Sequence, residues 1–235
     1  SAFCQHRCSF CSVDALEYPA IYVDKNIIIE RMKEASSLGV KSVMFAGTGE
    51  PLIHKHSNEI LEGAVNAGLD AAFTSNGVLL NRLKNLELAS WFKVSLNAGT
   101  KESYAQIHKT DEKDWDTVWK NIKDAVKRKG NCALGIQCVV LPENYRDMGY
   151  LARLSMDAGA DYFVMKPYSQ APFSIVQREV DYKPMQNYLN TVVDKHRGEK
   201  FEVILRTNAI TNEITGKHNF EKCRATPFTW VYSMA

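Results

Sequence analysis

No run of about 18 apolar residues occurs in the chain, so a membrane-spanning helix has no candidate stretch. No signal peptide is expected from its first residues. An excess of either charge is also missing: 29 Lys and Arg face 27 Asp and Glu, for a formal charge of +2, and the basic residues are scattered. That pattern leaves no electrostatic footprint for nucleic acid. Cysteine is sparse, six in 235 residues, whereas disulfide-stapled domains are short and cysteine-dense, so a disulfide framework does not suit this chain. What is plentiful is apolar surface: the 45% hydrophobic content can fill the core of one large or one-and-a-half domains.

Half of the cysteines lie together in Phe3-Cys4-Gln5-His6-Arg7-Cys8-Ser9-Phe10-Cys11, spaced by three and then two residues. Cysteine thiolates hold iron–sulfur clusters. Three of them cover three irons of a cube and leave the fourth free to bind and reduce something, as an open coordination position distinguishes a catalytic zinc from a structural one. Zinc is the competing ligand, through Cys4, His6, Cys8 or Cys11, but structural zinc sites usually draw ligand pairs from two places and no second pair follows. Thiols that must stay reduced suit the cytosol. With no strand ahead of Cys4, the chain is expected to be a piece of something longer.

Beyond the loop, helical and strand periodicities alternate. Helices are expected at 24–38, 56–67, 79–88, 115–129, 144–158 and 185–197, and strands at 40–45, 69–73, 91–96, 132–141, 161–165 and 201–205. Parallel strands need helical crossovers between them, so this order implies an α/β fold with a parallel sheet rolled into a full or partial barrel, here a partial (β/α)6 barrel. From Thr207 the alternation is expected to break, which divides the chain into a core, 1–206, and the start of an extension, 207–235.

Chemistry in such barrels gathers at the C-terminal strand ends. The strand at 40–45 runs into Ala46-Gly47-Thr48-Gly49-Glu50-Pro51, where glycines admit a ligand to the backbone and a carboxylate can meet an ammonium group. The next ends in Thr74-Ser75-Asn76-Gly77. In the third, Ser95 and Asn97 share a face by the period of two. Gln137 could face a ligand, whereas Cys132 and Cys138 read as small buried hydrophobes. Lys166, following an apolar strand, is positioned to meet an anion or to stay in solvent, as is Arg206; Tyr168 could contact substrate. Tyr104, Ile107 and His108 read as packing.

The cysteine spacing, with an aromatic residue just before the last cysteine, resembles the signature of the radical S-adenosylmethionine (radical SAM) superfamily, and the strand ends resemble its further motifs in the same order. The resemblance implies that Cys4, Cys8 and Cys11 ligate a [4Fe–4S] cluster whose open iron chelates S-adenosyl-L-methionine. An electron then splits the sulfonium, and the resulting 5′-deoxyadenosyl radical abstracts hydrogen from substrate. It implies cofactor contacts from Gly47, Thr48, Gly49 and Glu50, from Ser75 and Asn76, from Ser95 and Asn97 near the ribose, and from Phe10, Gln137 and Met165. Thr48 stands where the family usually has its second glycine. Cys223, ahead of the aromatic stretch 228–232, is similar to the start of a SPASM or twitch extension, which implies an auxiliary iron–sulfur cluster. A peptide or a small sugar-like substrate and an electron donor such as flavodoxin or ferredoxin would complete the system. Two rivals remain: a zinc-stabilised binding protein, and an ordinary barrel enzyme holding a phosphate at 47–49.

Overall fold

The computed structural model describes residues 1–170, 173–196, 198, 200–215 and 221. Its elements run α1 (Lys25–Ser37), β1 (Ser42–Phe45), α2 (Ser57–Asn66), β2 (Asp70–Ser75), β3 (Trp91–Ser95), α3 (Lys101–His108), α4 (Lys113–Arg128), β4 (Ala133–Val140), α5 (Met148–Asp157), β5 (Tyr162–Pro167), α6 (Gln186–His196), β6 (Glu202–Leu205) and α7 (Thr207–Thr215). The six strands form one sheet in sequential order, every pair parallel. This is the α/β partial barrel that the alternation implies.

Successive side chains of a strand point to opposite faces, and the two faces of this sheet differ sharply. The outer face carries Phe73, Phe92, Val94, Ile136, Cys138, Phe163 and Met165, all buried. Phe73 stacks on Phe92 with centroids 5.8 Å apart. Helix α4 covers this face with Val118, Ile122 and Ala125, which are fully buried. Each fully buried Phe or Val contributes roughly 1.5–3 kcal/mol, so this layer is the main stabilising mass. The inner face instead presents Thr74, Lys93, Ser95 and Lys166, all half-buried, and the nearly buried Gln137.

Three local expectations are corrected. The stretch 79–88 is two short 3-10 turns, Leu80–Arg82 and Leu86–Leu88, of which Leu80 and Leu86 reach the core. Helix α3, absent from the sequence reading, is started by a capping box between Thr100 and Ser103. The chain does not turn irregular at Thr207: α7 continues to Thr215 and buries Ile210 in the main core. Cys223 and the stretch 228–232 lie outside the described residues.

Candidate active site

The cysteine loop is laid across the C-terminal ends of the strands and tied down on three sides. Beyond β1, the Glu50 N–H donates to Phe3 O at 2.8 Å; at the end of α3, the Arg7 and Ser9 N–H groups donate to His108 O and Ile107 O at 3.1 and 2.8 Å. After β5, the Ile175 and Val176 N–H groups donate to Asp14 at 2.8 and 2.9 Å, and the Ser174 hydroxyl donates to Cys11 O at 3.2 Å. Gly49 permits the first of these seats, because a Cβ there would lie 2.4 Å from Phe3 O and 2.5 Å from the Ala2 carbonyl carbon. Gly49 is thus covered by the chain's own residues 1–3, which argues against a phosphate cradle at 47–49.

Cys4, Cys8 and Cys11 are free thiols, each half-buried. Their sulfurs are not all gathered within 4.8 Å of one another, but Cys8 feels the charge of Cys4 and Cys11, and Cys4 that of Cys11. Burial first, then the negative charges of Glu50 and Cys11, push the Cys4 thiol up to about 11 against an opposing backbone hydrogen bond. Burial and the charges of Cys4 and Cys11 push Cys8 up further. Burial, then a hydrogen bond to Cys11 and the charges of all three sulfurs, also raise the Tyr18 hydroxyl. Thiols that oppose one another's ionisation are held protonated by themselves, and a positively charged metal group removes that penalty. The donor set therefore fits an iron–sulfur cluster.

Two side chains direct donors at these sulfurs. The Asn97 N–H can only donate, and it meets His108 Nε2 at 3.2 Å; the ring proton therefore sits on Nδ1, which lies 3.4 Å from Cys8 Sγ. Burial, with His6 alongside, holds His108 well below the usual histidine range, so the ring stays neutral. Tyr104 stacks on it at 4.2 Å. Asn76 turns its Nδ2 toward Cys4 Sγ at 3.8 Å, while its Oδ1 accepts from Gln5 Nε2 and Val78 N, both at 3.1 Å. Hydrogen bonds to sulfur are among the levers that set a cluster's potential.

The other expected residues divide into lining and framework. Ser95 and Gln137 pair in register on the inner face, and Gly47 and Thr48 stand open beyond β1, Gly47 with a φ of +156°. Phe10 sets its ring edge-on to His108 at 6.3 Å. Glu50 is buried, and its carboxylate accepts from Leu52 N at 3.0 Å, Ser75 Oγ at 2.7 Å and Asn76 N at 2.8 Å. Glu50 and Ser75 thus bind each other. Asn97 lies two residues beyond the end of β3 and is buried; its Oδ1 accepts from Val139 N at 2.7 Å. Met165 is fully buried on the outer face, and alternation points Val164 and Lys166 inward instead.

The rival zinc knot of Cys4, His6, Cys8 and Cys11 is not assembled among the described residues. His6 turns its Nε2 to Asp114 Oδ2 at 3.1 Å, and its ligand atoms gather only with Cys8 and His108, within 4.8 Å; among the described residues no fourth ligand joins them. Sequence reasoning missed two residues. Lys93 was available, two positions before Ser95 on an alternating strand. The role of His108 was not, since only the folding of α3 brings it to a cysteine 100 residues away.

The profile of the Radical SAM superfamily matches residues 1–154. The tungsten-containing aldehyde ferredoxin oxidoreductase cofactor-modifying protein of Pyrococcus furiosus is 23% identical over 216 residues, covering 83% of this chain and 58% of its own length. Among solved structures, Streptococcus suis SuiB bound to its precursor peptide SuiA superposes with a TM-score of 0.73 at 15% identity, over 98% of this chain and 53% of SuiB. A radical SAM methyltransferase from Sphaerobacter thermophilus gives 0.66 at 14% identity, over 87% of this chain and 63% of that one. The chain thus spans little more than half the length of these relatives.

Proposed function

The chain belongs to the radical SAM superfamily, whose cofactors are a [4Fe–4S] cluster and S-adenosylmethionine, and from that membership we propose that Cys4, Cys8 and Cys11 hold the cluster in an enzyme of this kind. When bound, the pair supplies reductive cleavage of the sulfonium to a 5′-deoxyadenosyl radical that takes hydrogen from substrate. The observation that carries the reading is a loop of three free thiols seated on the C-terminal strand ends, with His108 and Asn76 donating toward two of them.

In this reading the chain's work is positioning. Glu50 fixes the Ser75–Asn76 turn and so aims Asn76 at Cys4. Asn97 orients His108, and the open Gly47 and Thr48, with Ser95 and Gln137, line the side of the cavity that S-adenosylmethionine would occupy. Phe10 lies beside the same opening. The substrate is a peptide or a small molecule: SuiB is seen with a peptide, and the Pyrococcus protein is described as modifying a cofactor. A flavodoxin or ferredoxin would deliver the electron, in a cytoplasmic setting; among the described residues no helix is long and apolar enough to cross a membrane. An auxiliary cluster through Cys223, and the division into 1–206 and 207–235, belong to the same proposal.

The test is 5′-deoxyadenosine formation by protein reconstituted anaerobically with iron and sulfide and given S-adenosylmethionine and a reductant. Cys8→Ala is expected to abolish it, whereas Cys132→Ala, at a fully buried outer position, should mainly lower stability. Equal product from the Cys8 variant would overturn the ligand assignment.

A further inference from the structure

Three cations lie on the inner face of the barrel with no carboxylate partner among the described residues; Lys93 Nζ sits over the Trp91 ring, 5.2 Å from its centroid. Lys93 lies on β3, Lys166 on β5, and Arg206 directly follows β6, where its N–H extends the ladder to Met165 O at 3.0 Å. Register puts all three on one face: Lys93 pairs with Gly135, Lys166 with Val139, and Gly135 and Gln137 alternate along β4 with the outward Ile136. Gly135 has no side chain, and the Tyr162 ring lies over it. Lys93 and Lys166 are half-buried and Arg206 is exposed.

Among the ion pairs of the described residues, none includes any of the three. The carboxylates on that face, Asp70 and Glu202, are the first residues of β2 and β6, at the opposite rim of the sheet. Burial, then Arg206 and Lys166, hold the Lys93 ammonium below the usual lysine range, and burial with Arg206 does the same to Lys166; no carboxylate enters either balance. Like charges gathered on a partly desolvated face repel one another and remain costly until an anion arrives.

We propose that Lys93, Lys166 and Arg206 form the anchor for an anionic group of the substrate, a carboxylate or a phosphate, inside the barrel. The inference rests on the reading above, in which Ser95 and Gln137 of the same face line the cofactor's side. An anion held on the β3–β5–β6 side fixes the rest of the substrate beside the cofactor, so that the hydrogen removed lies a short distance from the charged group. Two lysines contribute point charges, and the guanidinium adds a planar pair of donors suited to either oxyanion. A neutral sugar or an all-apolar peptide would leave the three charges unanswered.

The experiment uses the full chain, reconstituted with its cluster and saturated with S-adenosylmethionine, and titrates it calorimetrically with four probes. These are a triglutamate peptide blocked at both ends, its triglutamine counterpart, glucose 6-phosphate and glucose. Binding of one anionic probe and not its neutral counterpart is expected, and the arm that binds tells carboxylate from phosphate. Lys166→Met and Arg206→Met should each weaken that binding about tenfold or more, with Lys166→Arg restoring most of it. Thermal denaturation checks that each variant folds, and Lys93→Met provides a further independent substitution. The inference is overturned if neither anion binds, if the substitutions leave anion affinity unchanged, or if they weaken S-adenosylmethionine instead. Formation of 5′-deoxyadenosine by the unsubstituted protein separates the two failures: product without anion binding sinks only the anchor, and no product sinks the underlying reading.

Discussion

At Glu50 a single carboxylate satisfies three donors in a site that is 2% exposed. A glutamine there offers one oxygen and one NH2, so its amide nitrogen must confront either Asn76 N–H or the Leu52 and Ser75 donors. Leaving such a buried donor unpaired costs about 1–3 kcal/mol. Glu50→Gln is therefore expected to lower the thermal midpoint clearly; an unchanged midpoint would contradict the network. His54 makes a pH prediction. Its Nε2 donates to Val23 O at 2.8 Å and its Nδ1 accepts from His56 N at 3.2 Å, so the neutral ring is fully used. Burial, helped by His56 and Lys55 and opposed by the Val23 carbonyl, holds its titration below 6.5. The unfolded chain then takes up a proton that the folded ring refuses, and stability falls as pH drops below 6.5. Thermal midpoints at about pH 7.5 and about pH 5.5 should differ less in His54→Gln than in the parent. Equal differences would show that His54 is not a source of acid sensitivity. These residue roles were only partly legible in the sequence. Glu50 and Asn76 stood out as motif members, but that they bind each other depends on β1 and β2 being neighbours.

At the level of elements, the strongly periodic pieces were readable and the short ones were not. Helix α4 has a one-sided apolar stripe, Trp115, Val118, Trp119, Ile122 and Ala125, and it forms over nearly the expected span. Helix α3 has eight residues and carries Ser103 at its third position, where a capping box usually has Glu or Gln, so its signal was weak; tertiary contacts with the cysteine loop hold it. Helix α7 was missed because Thr207-Asn208-Ala209-Ile210 is a poor helix former, and burial of Ile210 decides the matter. The connection between β1 and the cysteine loop is an element-level device and can be broken at one atom. Gly49→Ala forces a methyl into the backbone of residues 1–3, which is not a flexible side-chain end that could move aside. Lower iron loading after reconstitution is expected, since Cys4 follows that segment directly. Full iron content in the variant would show that this seat does not position the loop.

In the whole molecule, alternation across six parallel strands separates two jobs. The outer face builds the core against the helices, and the inner face is left polar and cationic at the end where the cysteine loop lies. The division could be anticipated from strand periodicity. Its inner content could not be fully assigned, because an offset of one residue exchanges the faces, as the outward Met165 beside the inward Lys166 shows. The central claim is that the loop holds a cluster with one iron left for S-adenosylmethionine. It is tested most directly by the electron paramagnetic resonance spectrum of reconstituted, chemically reduced protein before and after S-adenosylmethionine is added. A reduced [4Fe–4S] signal whose shape changes on addition is the expected result, and it should be absent in Cys8→Ala. A signal indifferent to S-adenosylmethionine, or a protein that takes up zinc in place of iron, would contradict it.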